Sequence, residues 1–372
     1  MGNPKHNPRL FFCPSEVGIS AYDPETDRIH RLNASASLIL ELCDGQRSEE
    51  AICQLLSALL PETAVRQCIA QGFAQGLLCE EGTVPTEDPQ ALIRELRASG
   101  RIEAAYICQY QLAEDEPEEA EHWGLLGELA RILGRREAAR NAYERYLKLR
   151  PEDGEVRHLL TAMEGQSPAR APDEAILHLY TRFAPFYESN MLEELDYQAP
   201  KHLGEQVQAW MGDRKDLEAL DLGCGTGLAG LEIRPKCQRL IGVDLSPQML
   251  ALARERGIYD RLDCAEISAW LEASQDRFDL IVSCDALIYF GDLKPVLQPA
   301  RRLLKAGGCF CFTLEQGTGP AYRLSDSGRY VHSPEGVRQM AAETGWRVRA
   351  LESRFLRMEY GEPVLGLVVV LV

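Results

Sequence analysis

Three alternating glycines flanked by two carboxylates are the residues of this 372-residue chain best placed to do chemistry. Leu220-Asp221-Leu222-Gly223-Cys224-Gly225-Thr226-Gly227 reads as a buried strand, a glycine turn and a helix start. Ile241-Gly242-Val243-Asp244 reads as a second strand whose last residue is acidic. Glycine lets a backbone approach a ligand closely, and an acid at the tip of the neighbouring strand suits the hydroxyls of a ribose. A dinucleotide site would want G-x-G-x-x-G, its third glycine packing helix on strand. Here the glycines fall at 223, 225 and 227 and residue 228 is Leu.

The elements around this turn alternate. Strands are expected at 219–222, 239–244, 261–264, 278–284 and 309–314, with helices at 198–210, 247–256, 267–273, 291–304 and 334–344. Residues 346–357 and 364–372 read as a closing pair, the latter antiparallel. That order predicts a doubly wound α/β sheet with its ligand at the carboxyl ends of the strands.

Asp221-Leu222-Gly223-Cys224-Gly225-Thr226-Gly227 resembles motif I of the class I S-adenosylmethionine (SAM) methyltransferases, a Rossmann-like family with an antiparallel last strand. Asp285-Ala286-Leu287-Ile288-Tyr289-Phe290-Gly291-Asp292-Leu293 and Leu303-Leu304-Lys305-Ala306-Gly307-Gly308 resemble its later motifs. The amphipathic stretch 173–191, with Tyr180, Phe183 and Tyr187, is similar to the lid that folds over the methionine end of SAM. The resemblance implies that Gly223, Cys224, Gly225 and Gly227 line the methionine and ribose, with Asp221 orienting the turn. It implies that Asp244 binds the ribose hydroxyls, that Leu245 and Met249 pack on adenine, and that Glu266, with Asp263 as runner-up, meets the adenine amino group. Asp285 would face the sulfonium and the acceptor. In-line methyl transfer depends mainly on alignment; a carboxylate acceptor needs no base, whereas an amine or hydroxyl gains from one. Asp285, Tyr289 and His332 are the catalytic candidates, with Glu315 behind them.

A formal net charge of -17 and 45% hydrophobic residues describe a globular chain unsuited to routine nucleic-acid binding. No segment reads as a membrane span or secretory signal. None of the twelve cysteines forms a C-x-x-C pair, so they are expected reduced and mainly buried, without a metal, in the cytoplasm.

Two further domains precede the α/β domain. In residues 1–85, a strand hairpin and three helices surround Arg31-Leu32-Asn33-Ala34-Ser35-Ala36-Ser37-Leu38-Ile39-Leu40-Glu41-Leu42-Cys43-Asp44-Gly45, which resembles the PqqD family of leader-peptide-binding domains. The resemblance implies a small α+β, winged-helix-like fold that takes up an extended peptide by β-augmentation. Over residues 86–165, Gly100 and Gly134, Ala105 and Ala139, and Pro117 and Pro151 each stand 34 apart, the tetratricopeptide period. Two repeats plus a capping helix are expected there, then a linker over 165–172 and the methyltransferase domain over 173–372.

The expected function is methyl transfer from SAM to a peptide or peptide-bound substrate, with the leader captured by the N-terminal domain. The alternatives are a small-molecule methyltransferase whose N-terminal domains serve assembly, including self-association, and a non-catalytic SAM-binding scaffold.

Overall fold

A computed structural model describes residues 3–79, 85, 86 and 88–372. The first predicted boundary, at 85/86, therefore adjoins residues outside the described set. The chain forms two compact units, residues 1–151 and 152–372.

In the first unit, β1 (Lys5–His6) precedes an antiparallel sheet of β2 (Phe11–Ser15), β3 (Gly18–Asp23) and β4 (Arg28–Asn33), in that order. Asn33 caps the helix Ala34–Leu42, its Oδ1 accepting the Ala36 amide at 2.9 Å, and Ser48 caps Glu49–Leu56. The third helix, Glu62–Ala74, ends just before Gly76, which turns left-handed at φ +73°. Leu78–Cys79 is a strand, β5, paired with β1. Ile39, Leu40, Ile52, Val65 and Ile69 form the core between sheet and helices.

Four helices follow, Pro89–Ala98, Ile102–Asp115, Ala120–Ile132 and Arg136–Leu149. Gly100 and Gly134 are left-handed at the turn of each pair, which is the physical origin of one 34-residue correspondence. Gly127 stands where a Cβ would lie 2.4 Å from the Tyr143 ring, so the helices touch through a missing side chain. Gln109 is buried, and its amide donates to the His122 carbonyl at 2.9 Å.

The second unit opens with the helix Gly154–Met163, expected from sequence to cap the repeats. It packs on the helix Asp173–Phe183, and His158 Nε2 meets the Gly328 carbonyl at 3.0 Å. The expected linker is likewise a strap. Ala169 accepts the Gly291 and Asp292 amides at 2.8 and 2.9 Å, and the Ala171 amide donates to Tyr289. Those loop groups need partners, and the strap supplies them. Pro185 ends the lid helix in a tight turn, Ala184–Phe186.

The sheet comprises β6 (Leu217–Leu222), β7 (Cys237–Asp244), β8 (Arg261–Cys264), β9 (Phe278–Ser283), β10 (Leu304–Gln316), β11 (Tyr322–Leu324), β12 (Tyr330–His332), β13 (Val348–Glu359) and β14 (Glu362–Leu371). Its order is β11-β12-β10-β9-β6-β7-β8, parallel from β10 to β8, with β14 antiparallel to β10 and to β13. The doubly wound sheet and its antiparallel closing strand are as expected. Strand β6 is almost wholly buried because helices cover both faces. The short strands β11 and β12 were not anticipated; His332 ends β12, opposite Gln316 of β10.

Replacing Gly127 by Ala should lower the stability of the first unit by about 1–3 kcal/mol. A denaturant melt followed by helical circular dichroism reads this, and an unchanged midpoint would contradict the packing described.

Candidate active site

The glycine turn is shaped from beneath. The Gly223 and Cys224 amides both donate to the Val243 carbonyl, at 2.7 and 3.0 Å, so the end of β7 holds the turn that leaves β6. Gly223 has φ +67°, and a Cβ there would lie 2.2 Å from that of Ala286; no other residue fits. Asp244 Oδ2 accepts the Gly225 amide and its Oδ1 the Ser246 amide, each at 2.8 Å. Burial pushes the Asp244 carboxyl above its ordinary value, and the amides pull the other way.

Above this floor lies a cleft of about 600 Å³. Ten predicted residues line it: Gly223, Gly225, Asp244, Leu245, Met249, Glu266, Asp285, Tyr289, Tyr180 and Tyr187. The donor set suits an adenine nucleoside. A carboxylate at a strand tip faces the place for a diol, apolar Leu245 and Met249 flank it, and Gly223 and Gly225 lie alongside with no Cβ atoms. Tyr180 and Tyr187 line one side, Tyr180 and Tyr289 sharing a hydroxyl hydrogen bond of 3.0 Å.

Seven predicted residues, Phe183, Cys224, Gly227, Asp221, His332, Asp263 and Glu315, do not line the cleft. Phe183 supports Tyr187 edge-on at 5.7 Å, Cys224 packs beneath near Gly242, and Gly227 caps the helix Leu228–Ile233. Asp221 is wholly buried below the turn. Its Oδ2 accepts the Tyr259 hydroxyl at 2.7 Å, its Oδ1 meets no partner, and burial raises its pKa to about 7. His332 is buried, its Nε2 at 3.0 Å from the Gly291 carbonyl, and desolvation lowers its pKa to about 4. An imidazole closed off from the cleft and hard to protonate is badly placed for proton transfer. Glu266, expected at the adenine amino group, spends Oε1 on the Ser268 amide and Oε2 on that of Ala269. Asp263 turns to Trp270 Nε1.

The acceptor end holds charges the sequence did not announce. Asp285 has φ +50°, a sparsely populated region for a residue with a side chain. Its Oδ1 accepts the Thr313 hydroxyl at 2.7 Å and its Oδ2 accepts from Arg357 at 3.0 Å. Arg357 also pairs with Glu315 and Glu359, and Arg329 with both of those acids. Asp285 is therefore committed, and burial raises the pKa of Tyr289, a poor base at neutral pH. Sequence reasoning also missed Arg170, Cys284 and Phe290, which line the cleft.

Residues 220–310 match the family described as a methyltransferase domain, and residues 19–71 match coenzyme PQQ synthesis protein D, PqqD. The chain carries a methyltransferase domain and a PqqD domain. Among curated relatives, human methyltransferase-like protein 27 is 36% identical over 140 residues, covering 37% of this chain and 56% of that protein. The malonyl-[acyl-carrier protein] O-methyltransferase of Hamiltonella defensa is 32% identical over 145 residues, covering 39% of this chain and 54% of its own. The chain thus spans little more than half the length of these relatives. An S-adenosylmethionine-dependent methyltransferase from Clostridium acetobutylicum is a structural neighbour at 20% identity and TM-score 0.40, covering 52% of this chain and 98% of that one. The PqqD domain has its own apolar groove of about 400 Å³, where Leu32 of β4 meets Ala36, Ile39, Ile69 and Leu78, and β4 is an edge strand.

Asp221 yields a pH prediction. Because its folded-state pKa is raised from 3.8 to about 7, its contribution to stability is fully present below about pH 4 and is lost as pH rises towards 7. The loss amounts to roughly 4 kcal/mol at most. Asp221→Asn should flatten the fall in denaturation midpoint between those limits; an unaltered pH profile would contradict the assignment.

Proposed function

We propose that this chain is a SAM-dependent methyltransferase acting on a peptide or peptide-bound acceptor. Residues 1–85 would form a winged-helix-like leader-binding domain, residues 86–165 a pair of tetratricopeptide repeats with a capping helix, and residues 173–372 the transferase. The observation that carries the reading is Asp244, fixed by the Gly225 and Ser246 amides and facing a cleft beside Gly223 and Gly225. The bound cofactor supplies a methyl group activated by a positive sulfur.

Asp244 accepts the ribose hydroxyls, Leu245 and Met249 pack against the base, and Gly223 and Gly225 leave room for the amino-acid end. Tyr180, Tyr187 and Tyr289 keep water from the acceptor end and hold the acceptor in line. Among the described lining residues, the Asp285 and Glu266 carboxylates are already engaged, by Thr313 and Arg357 and by the Ser268 and Ala269 amides with Arg170. The chemistry then rests on alignment, and the acceptor arrives already nucleophilic, as a carboxylate or an unprotonated amine.

Peptide recognition is supported by the PqqD match together with edge strand β4 beside its apolar groove. An added strand would find unpaired backbone on β4 and pockets for alternate side chains. A second reading, a small or carrier-tethered carboxylate acceptor, is favoured by these engaged carboxylates and by the named substrate of the malonyl-[acyl-carrier protein] relatives. Mass spectrometry separates the two. With SAM and a candidate precursor peptide, groove-filling Ala36→Trp in the full chain should slow methylation of the leader-bearing peptide about tenfold or more. It should leave the leaderless peptide unaffected. Equal rates on the leader-bearing peptide would overturn leader capture and favour the second reading.

A further inference from the structure

Arg170 reaches the cleft from the strap, ten residues before Tyr180, the first of the aromatics Tyr180, Phe183 and Tyr187, and no role above uses it. We infer that Arg170 is a binding residue for the adenine nucleoside, its flat guanidinium lying against the base. The inference rests on the cofactor reading and names a residue that reading does not contain.

Position comes first. In the sheet, β7 lies between β6 and β8. Asp244 at the tip of β7 fixes the ribose. The glycine turn and Asp285 follow β6 and β9 on one side, and Glu266 and Ile267 follow β8 on the other. The base must therefore extend towards β8, past Leu245 and Met249. There Arg170 Nη1 lies 3.1 Å from Glu266 Oε1. Its backbone bridges Phe290, and its guanidinium carbon stands 5.3 Å from the Phe290 ring centre. Arg170 thus spans the cleft from the β8 side to the loop after β9.

Its orientation is built rather than incidental. Nε donates to the Ala171 carbonyl at 3.1 Å, Nη2 pairs with Asp173, and Nη1 with Glu266. Glu266 is itself pinned by the two amides it caps, so it cannot follow the arginine elsewhere. Three directions of the guanidinium plane are tied, and little rotamer freedom remains to lose on binding. Glu266 and Asp173 neutralise its charge locally, so what it offers a ligand is chiefly a flat, weakly hydrated face. Bases stack on such faces, and a cation over a π system gains modestly at partly exposed sites. Through these contacts the Glu266 carboxylate also orients Arg170.

Titration calorimetry on the full chain tests this with S-adenosylhomocysteine and with methylthioadenosine, which lacks the amino-acid end. Arg170→Ala should weaken both ligands about 3- to 30-fold and to the same extent. Arg170→Lys, which keeps the charge and loses the plane, should recover only part of the loss. A melting temperature within error of the parent separates binding from strap stability. Unchanged affinity, full recovery by lysine, or loss for S-adenosylhomocysteine alone would overturn the inference. Asp244→Ala is the control: if it too binds like the parent, the cofactor reading fails and not merely the role of Arg170.

Discussion

The carboxylate of Asp244 is the constraint on which the methyltransferase site depends. Leu222 lies beside Val243, so the turn leaving β6 and the acid ending β7 meet at one height. A single side chain then ties both strand ends, accepting one amide from each at 2.8 Å. Hydrogen bonds to a charged acceptor are worth about 1.5–3 kcal/mol each. Two of them offset part of the cost of burying the group without satisfying all its lone pairs. What remains unsatisfied faces the cleft, where a diol can donate. The glycines follow from the same geometry, since a Cβ at 223 would collide with Ala286.

The acceptor end is held differently. Asp285, Glu315 and Glu359 alternate with Arg357 and Arg329 in a chain of ion pairs whose Asp285, Glu315 and Arg357 are buried. Such pairs add little net stability against apolar packing, but losing one partner leaves an uncompensated charge and is costly. The network therefore fixes position more than it strengthens the fold. It holds the Asp285 carboxylate between the Thr313 hydroxyl and Arg357.

These two ends differ in how legible they are from sequence. The donor end is written in backbone requirements: glycines that only glycine can satisfy, an acid one strand away, and strands buried on both faces. Those signals are local. The acceptor end depends on Arg357 and Glu359 from a hairpin strand and on Arg329 before a three-residue strand. No spacing connects them, because their meeting is set by sheet order. His332 was misread for the same reason. Its sequence neighbours Ser333 and Pro334 do begin a helix, but β12 carries the imidazole inward, away from the cleft. Glu266 was legible as a carboxylate after β8; its capping of the next helix was the stronger local claim on its oxygens.

The most direct test of the central claim is titration of the full chain with SAM, before any acceptor is known. The structure predicts saturable binding at one site per chain, lost on replacing Asp244 by Ala while the melting profile stays that of the parent. Failure to bind SAM, or equal binding by the folded Asp244→Ala chain, would contradict it.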